Sequence, residues 1–347
     1  MRKVIQTTML LGLVVLLTSS AWVNLTLIRP SVINVPQKIQ TLLILDRTLP
    51  KDDRKNKIEE VLTGEIMRQD EQAVQQTMEG LVNTIQNGPR FKVKYANEKY
   101  IGETSGTIFP EPLSWEIVNK LCSKYEVDAV IAIETFDSDY ILTNGRRQVE
   151  RKDENGNANS VNEFYIEGVG TVNIGIRLYD PDMNSIADQY QFSENMRWDG
   201  QGSSPTDAAI AMLDKIAAIN QVSYAAGRSY GLRISPSYYK VTRYFYNKPK
   251  NNKYLIEGVR KSEVADWEGA IESWGLAIKK GKKDKDKGRA AYNIAVAYEV
   301  LGDLDRALEW SAKAYTEYEE KDANDYHRAI KARINEERIV NMQLGRE

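Results

Sequence analysis

The 347-residue chain is 42% hydrophobic and 28% charged, the make-up of a globular protein with a core, and its length suits two or three domains. Forty-seven basic against 49 acidic residues give a net charge of -2, which excludes a basic nucleic-acid glove over the whole chain and an acidic tail protein. A single cysteine, Cys122, excludes an intrachain disulfide framework and a thiolate cluster, and a single histidine, His327, excludes multi-His zinc sites and argues against a His-based triad.

Arg2 and Lys3 precede an apolar run from Met9 to Leu17, followed by the small residues Thr18, Ser19, Ser20 and Ala21. This layout predicts a signal peptide over residues 1–21, cleaved before Trp22. The run falls short of the roughly 20 apolar residues that span a bilayer. The expected location is therefore the cell envelope: exported, and periplasmic or outer-membrane-associated. Leu17-Thr18-Ser19-Ser20 is similar to the approach to a lipoprotein cleavage site, yet Ala21 stands where the lipid-bearing cysteine belongs.

A mixed α/β domain is expected over residues 36–248. Gln40–Asp46 is a continuous apolar strand of the doubly covered kind, and Asn56–Gln86 has helical spacing through Val61, Val74, Leu81 and Ile85. Arg90–Tyr95 alternates as a strand. Ser114 caps a helix with Ile117, Val118 and Leu121 on one face. Val127–Phe136 is a second apolar strand, Glu163–Tyr179 a long one, and Gln189–Trp198 its hairpin partner across the Asp180–Ser185 turn. An Ala-rich helix from Ala208 to about Gly227 and a last alternating strand, Tyr238–Tyr246, complete it. Strands alternating with helices, plus one hairpin, predict a mixed layered sheet.

An all-α repeat domain is expected over residues 252–345. Tyr292–Tyr315 (YNIAVAYEVLGDLDRALEWSAKAY) carries small residues at Ala295, Ala307 and Ala314, aromatic Tyr298, and a turn at Gly302-Asp303. Tyr254–Lys279 repeats the pattern with Gly258, Trp267, Ala270, Trp274 and Ala277. Asp325 to about Met342 reads as a capping helix. The pattern resembles tetratricopeptide repeats, in which small residues let two helices approach closely. That resemblance implies a protein-binding face framed by Tyr254, Gly258, Trp267, Ala270, Trp274, Ala277, Tyr292, Asn293, Tyr298, Gly302, Ala307 and Ala314; the plainer alternative is a structural module that packs against its own N-terminal domain.

The α/β region is similar to the N-terminal domains of envelope proteins such as TolB and the curli-secretion lipoprotein CsgG, where a leading strand ends in Asp and a D-A-V-I-type strand follows a helix. Across nearly the whole chain, stretches such as Thr41–Arg47 (TLLILDR) and Asp128–Asp139 (DAVIAIETFDSD) resemble envelope lipoproteins of Bacteroidota type, which carry an α/β domain and C-terminal repeats. The resemblance implies no catalytic residues.

Candidate chemistry is sparse. Glu134, Asp137 and Asp139 cluster at and past a strand end, where α/β sheets place ligands, and would suit a carboxylate-based hydrolase; solvated groups at a sheet edge are the plainer reading. Asp180, Asp182 and Asn184 have the opening spacing of a calcium loop, but Ser185 and Gln191 break it, leaving a hairpin turn. Gly168, Gly170 and Gly175 lie within one strand and make no phosphate cradle. Lys279–Arg289 (KKGKKDKDKGR) is basic enough for anionic lipid heads but contains Asp284 and Asp286, which favours a solvated loop. The aromatic-basic run Tyr238–Lys248 reads as a half-buried strand.

The expectation is a non-enzymatic envelope scaffold or adaptor that binds another protein through its repeat face, with no cofactor, no metal, no nucleic acid and a peripheral membrane association at most. The alternatives are a hydrolase or a small-ligand sensor in the α/β domain.

Overall fold

The computed structural model describes residues 20–48, 66–98, 100, 102, 108–153, 156–247 and 252–346. The expected leader lies outside these except for Ser20 and Ala21, as do residues 56–65 of the first expected helix. The fold is a mixed α/β domain followed by an all-helical region over 253–344. By contacts the chain divides into two compact units, Ile28–Tyr238 with Glu337–Glu347, and Met1–Leu27 with Tyr239–Glu336.

In the first unit a five-stranded sheet contains β2 (Thr41–Asp46), β3 (Lys92–Tyr95), β4 (Ala129–Lys152), β5 (Ala158–Asp180) and β6 (Ser185–Gly202) in the order β3-β2-β4-β5-β6. β2 pairs parallel with both β3 and β4, and β4, β5 and β6 pair antiparallel. The run Leu42–Leu45 is fully buried because helices cover both its faces. Leu42 and Ile44 join Ile131, Ile133, Ile174 and Ile176 under α1 (Ile66–Gln86) and α4 (Lys215–Ile234). Leu43 and Leu45 join Val130 and Ala132 under α2 (Trp115–Tyr125). Each such aliphatic side chain contributes roughly 1.5–3 kcal/mol by leaving water.

α1 and α4 touch backbone to backbone. A Cβ at Gly80 would stand 2.0 Å from the Tyr224 carbonyl oxygen, and one at Gly227 would stand 1.9 Å from that of Thr77. Only glycine fits at these two crossing points.

Three expectations change in this unit. The expected strand 127–136 runs on to Lys152, its polar extension held by register with β5 from Asp137↔Asn173 to Lys152↔Ala158. The expected helix 208–227 is two helices, α3 (Pro205–Ile210) and α4, because Asp214 accepts from the Ala217 N–H and starts a new helix. Tyr238–Tyr246 does not join the sheet: β7 (Ser237–Tyr246) pairs instead with β1 (Ser20–Arg29) in a separate two-stranded ribbon.

The second unit stacks α5 (Lys253–Glu263), α6 (Trp267–Lys280), α7 (Asp284–Leu301), α8 (Leu304–Thr316) and most of α9 (Asp322–Leu344). Asn252, Asp266 and Asp303 cap α5, α6 and α8 by accepting a backbone N–H three residues on. Gly302 turns the chain between α7 and α8 at φ +83°, a left-handed conformation that costs a side chain roughly 1–2 kcal/mol. The ribbon alternates half-buried and exposed residues, so Tyr239, Val241, Arg243 and Phe245 lie on one face of β7 and Tyr238, Lys240, Thr242 and Tyr244 on the other. Ala21 and Val23 of β1 and Phe245 of β7 pack in the helical core. No helix of the described residues is long and apolar enough to cross a membrane.

Candidate functional site

The twelve framework residues divide into those that make the helical core and those that meet β7. Ala270, Trp274, Ala277, Ala307 and Ala314 are fully buried, and Trp267 is buried. Gly258 lies against the Trp274 indole, where a Cβ would approach Nε1 to 2.3 Å, and that Nε1 donates to the Leu255 carbonyl. Tyr254 and Tyr298 are half-buried at the rim, and Gly302 makes the turn. Tyr292 and Asn293 are different, since both contact Tyr246 at the end of β7.

Asn293 is fully buried and reads the backbone of Tyr246 with both ends of its carboxamide. Its Oδ1 accepts from the Tyr246 N–H at 2.8 Å, and its Nδ2 donates to the Tyr246 carbonyl at 2.8 Å. An asparagine amide thus replaces the neighbouring strand that β7 lacks at this point. The Phe245 ring stands edge-on to Trp267 and Trp274, with centroids 6.0 and 6.1 Å away. Tyr246 stands edge-on to Tyr292 at 5.6 Å, and its hydroxyl lies 2.9 Å from carboxylates of both Glu320 and Asp322. Burial and those two carboxylates hold the Tyr246 phenol far above its ordinary value.

Next along the strand, the Arg243 guanidinium forks onto Glu299 of α7, Nε to Oε2 at 2.7 Å and Nη2 to Oε1 at 3.0 Å. Arg333 donates to Oε1 at 2.9 Å and the Tyr326 hydroxyl to Oε2 at 2.6 Å. The Glu299 side chain is 0% exposed. Burial opposes its ionisation, but the bonds from Arg243, Tyr326 and Arg333 outweigh it and hold the carboxyl below its ordinary value.

The expected carboxylate cluster has a different geometry. Glu134 is the extra residue of a β-bulge, since Ile133 pairs with Ile176 and Thr135 with Gly175. Arg47 donates to its Oε2, the Tyr179 hydroxyl donates to Oε1 at 2.6 Å, and Arg177 lies 3.7 Å from Oε1. Arg47 also donates to the carbonyls of Tyr100 and Glu111, and Arg177 to that of Pro110. The cluster therefore fastens the segment before α2 to the strand ends. Burial pushes the Glu134 carboxyl above its ordinary range and Tyr179 up to about 12. With both oxygens engaged and 0% of its side chain exposed, Glu134 has no oxygen open to a substrate. Asp137 and Asp139 face outward further along β4, half-buried and exposed respectively.

The remaining candidates have plain places. Asp180 accepts the N–H groups of Asp182 and Met183 in the hairpin turn, and Lys38 bridges Asp180 and Asp182 at 3.1 and 3.2 Å, where a calcium ion would sit. Cys122 is buried, and burial pushes its thiol up to about 11. His327 Nδ1 lies 3.0 Å from the Ser311 hydroxyl and 3.2 Å from the Leu308 carbonyl. Gly168 and Gly170 give room to Tyr140 and Trp198 on the sheet. Among the described residues no group of three His, Cys, Asp or Glu side chains is placed to hold a metal.

Sequence reasoning found Asn293 as framework but not Arg243 or Glu299. The signal was present for both: Arg243 has the same strand parity as Val241 and Phe245, and Glu299 falls among the buried residues of α7.

Residues 39–246, more than half of the chain, match a domain of unknown function, DUF8603. The chain belongs to the DUF8603 family. A second domain of unknown function, DUF6340, matches residues 257–336. The DUF8603 span opens just before β2 and closes on Tyr246, so it includes the Glu134 cluster and the whole of β7. The DUF6340 span includes Asn293, Glu299, Tyr326 and Arg333, so the clasp on β7 joins residues of both matched regions. No curated protein matches the chain.

Proposed function

We propose that the protein is a non-enzymatic cell-envelope scaffold or adaptor that binds another protein, and that its helical unit, two tetratricopeptide-like hairpins capped by α9, holds the chain's own strand β7 and so presents the ribbon to that partner. The observation that carries this reading is the Asn293 carboxamide on the Tyr246 N–H and carbonyl. Such a contact recognises strand conformation rather than a side chain. The signal-like pattern of Arg2 to Ala21 supports the envelope location.

The strand in the grip is the chain's own. Pulling β7 away would strip Glu299 of its forked guanidinium and leave Asn293 unpaired, a cost of about 3–5 kcal/mol for the ion pair alone. The partner therefore docks on the ribbon's outward face, where Trp22 is 63% and Tyr244 58% exposed, and not on the buried framework. Large exposed aromatics are the side chains that anchor interfaces.

The test is site-specific photo-crosslinking of the full chain in its own cells. A photoreactive residue at Trp22 or Tyr244 is expected to capture the same envelope protein from both positions, and one at Lys120 to capture none. Absence of a shared adduct, or a shared adduct to a cytoplasmic protein, refutes the reading.

A further inference from the structure

On the helical unit, α5, the end of α6 and the start of α7 enclose an open cleft of about 280 Å³. Its lining includes Lys253, Tyr254, Lys280, Lys282, Lys283 and Asp286. Four lysines thus line the cleft beside one acidic residue, in a chain whose overall charge is -2. Among the described residues none of the four lysines has a carboxylate partner, whereas the nearby Lys287 is paired with Asp284 at 2.9 Å. Like charges brought together with too little counter-charge repel, by about 1 kcal/mol per pair at contact even in water. The arrangement therefore attracts an anion.

The cleft also has internal order. The Lys280 ammonium donates to the Tyr254 hydroxyl at 3.2 Å, and the ammonium groups of Lys253 and Lys280 lie 4.9 and 5.3 Å from the centre of the Tyr254 ring. Two of the lysines are thus gathered around one phenol, which leaves less rotamer freedom to lose on binding. Those ammonium groups hold the Tyr254 phenol below its ordinary value, as a positive local field requires. Lys283 begins α7 without a side-chain cap, and of the two acidic residues in that first turn Asp284 is engaged by Lys287.

We propose that this cleft is a binding site for a phosphate group, as carried by an anionic lipid headgroup or by a free phosphate ester. Lysines suit such a ligand as point charges that adapt to its oxygens. Neither the backbone grip nor the protein partner proposed above is needed for it.

Two arms test the site on the full chain. In the first, the protein is sedimented with vesicles of phosphatidylglycerol and phosphatidylcholine, or of phosphatidylcholine alone. In the second, inorganic phosphate and glycerol phosphate are titrated by calorimetry. The site variant carries Lys253→Gln, Lys280→Gln, Lys282→Gln and Lys283→Gln. A control removes the same charge elsewhere through Lys120→Gln, Lys215→Gln, Lys321→Gln and Lys331→Gln.

Each lysine near an anionic surface is worth about fivefold in partitioning, so the site variant is expected to bind phosphatidylglycerol vesicles at least tenfold more weakly, with the control close to wild type. That result assigns the site to a lipid surface. Binding of free phosphate that the site variant loses and the control keeps, without vesicle binding, assigns it to a soluble ester. No binding in either arm, or an equal loss in the control, overturns the proposal. Circular dichroism on both variants confirms that each is folded.

Discussion

Replacing Glu299 by alanine tests the physics of the strand clasp most directly. The substitution removes the carboxylate that joins Arg243 to Arg333, whose side chains are 16% and 13% exposed. Both guanidiniums remain where water cannot fully solvate them, and Tyr326 loses the acceptor 2.6 Å from its hydroxyl. Removing one partner of a buried ion pair costs about 3–5 kcal/mol. The loss falls on α7 and β7, which the carboxylate joins. Amide hydrogen exchange followed by mass spectrometry reads it locally, because the two-unit chain need not unfold in one step. Glu299→Ala is expected to speed exchange in α7 and β7 by about a hundred- to several-thousand-fold, while β2 and the start of β4 keep their wild-type rates. Arg243→Met combined with Glu299→Met is expected to cost at least 2 kcal/mol less than the sum of the singles, since no unpaired charge faces β7, by the usual reading of coupling. Exchange within about twofold of wild type in the Glu299→Ala chain refutes the reasoning. So does equal acceleration in β2, which would mean a global effect.

The same carboxyl gives the clasp a pH dependence, and three further changes probe the packing. Because Glu299 is held below its ordinary value of 4.5 in the folded chain, its stabilisation is present above that pH and is lost as pH falls through the lower folded value; protection of α7 therefore drops in acid, and a protection that rises on acidification contradicts this. Asn293→Ala leaves the Tyr246 N–H and carbonyl without partners and is expected to cost about 2 kcal/mol, seen as faster exchange at the Tyr246 amide with α8 unchanged. Gly227→Ala drives a methyl into the Thr77 carbonyl and is expected to destabilise the sheet unit by about 1–3 kcal/mol, measured as a lower denaturation midpoint. Cys122, pushed up to about 11 by burial, is expected to react with iodoacetamide at pH 8 more than a hundredfold more slowly in the folded chain than in urea, and equal rates would show the thiol to be exposed.

Much of the architecture is legible in local pattern. The run TLLILD has no polar face, and it occupies the doubly covered strand between β3 and β4. Gly302 stands where a left-handed residue is needed, and the small residues Ala270, Ala307 and Ala314 are all fully buried between helices. What stayed hidden depends on distant pairing. The stretch Asp137–Lys152 is too polar to announce a strand, and only its register with β5 makes it one. Trp22–Leu27 alternates like a strand, but the apolar run just before it draws the eye to export, and its partner lies more than 200 residues away. Glu134 looks like an exposed strand-end carboxylate until Arg47, Arg177 and Tyr179 converge on it, an arrangement that no spacing in the sequence encodes.

Why a buried ion network should hold β7 at all follows from what the other contacts leave unfixed. Asn293 reads a backbone, and a backbone looks the same at every residue of a strand, so the amide alone would accept a shifted register. A shift by one residue would exchange the two faces of β7, turning Phe245 out of the Trp267–Trp274 corner and Tyr244 into it. A shift by two would keep the same residues on the inner face, with Arg243 in the place of Phe245 and Val241 in the place of Arg243, or, in the other direction, with Phe245 in the place of Arg243. Against the one-residue slip the apolar core decides. Against the two-residue slip the carboxylate adds to the choice, because Val241 or Phe245 opposite Glu299 would leave a buried charge short of its forked donor. Polar groups buried at single positions fix register in this way in coiled coils. Here Arg243 and Glu299 do it for a strand laid on helices, and the price is an interaction that adds little over a well-packed apolar pair. On this argument Arg243→Met with Glu299→Met should stay folded yet show two environments for Phe245 in ¹⁹F NMR of a fluorophenylalanine-labelled chain, where the wild type shows one.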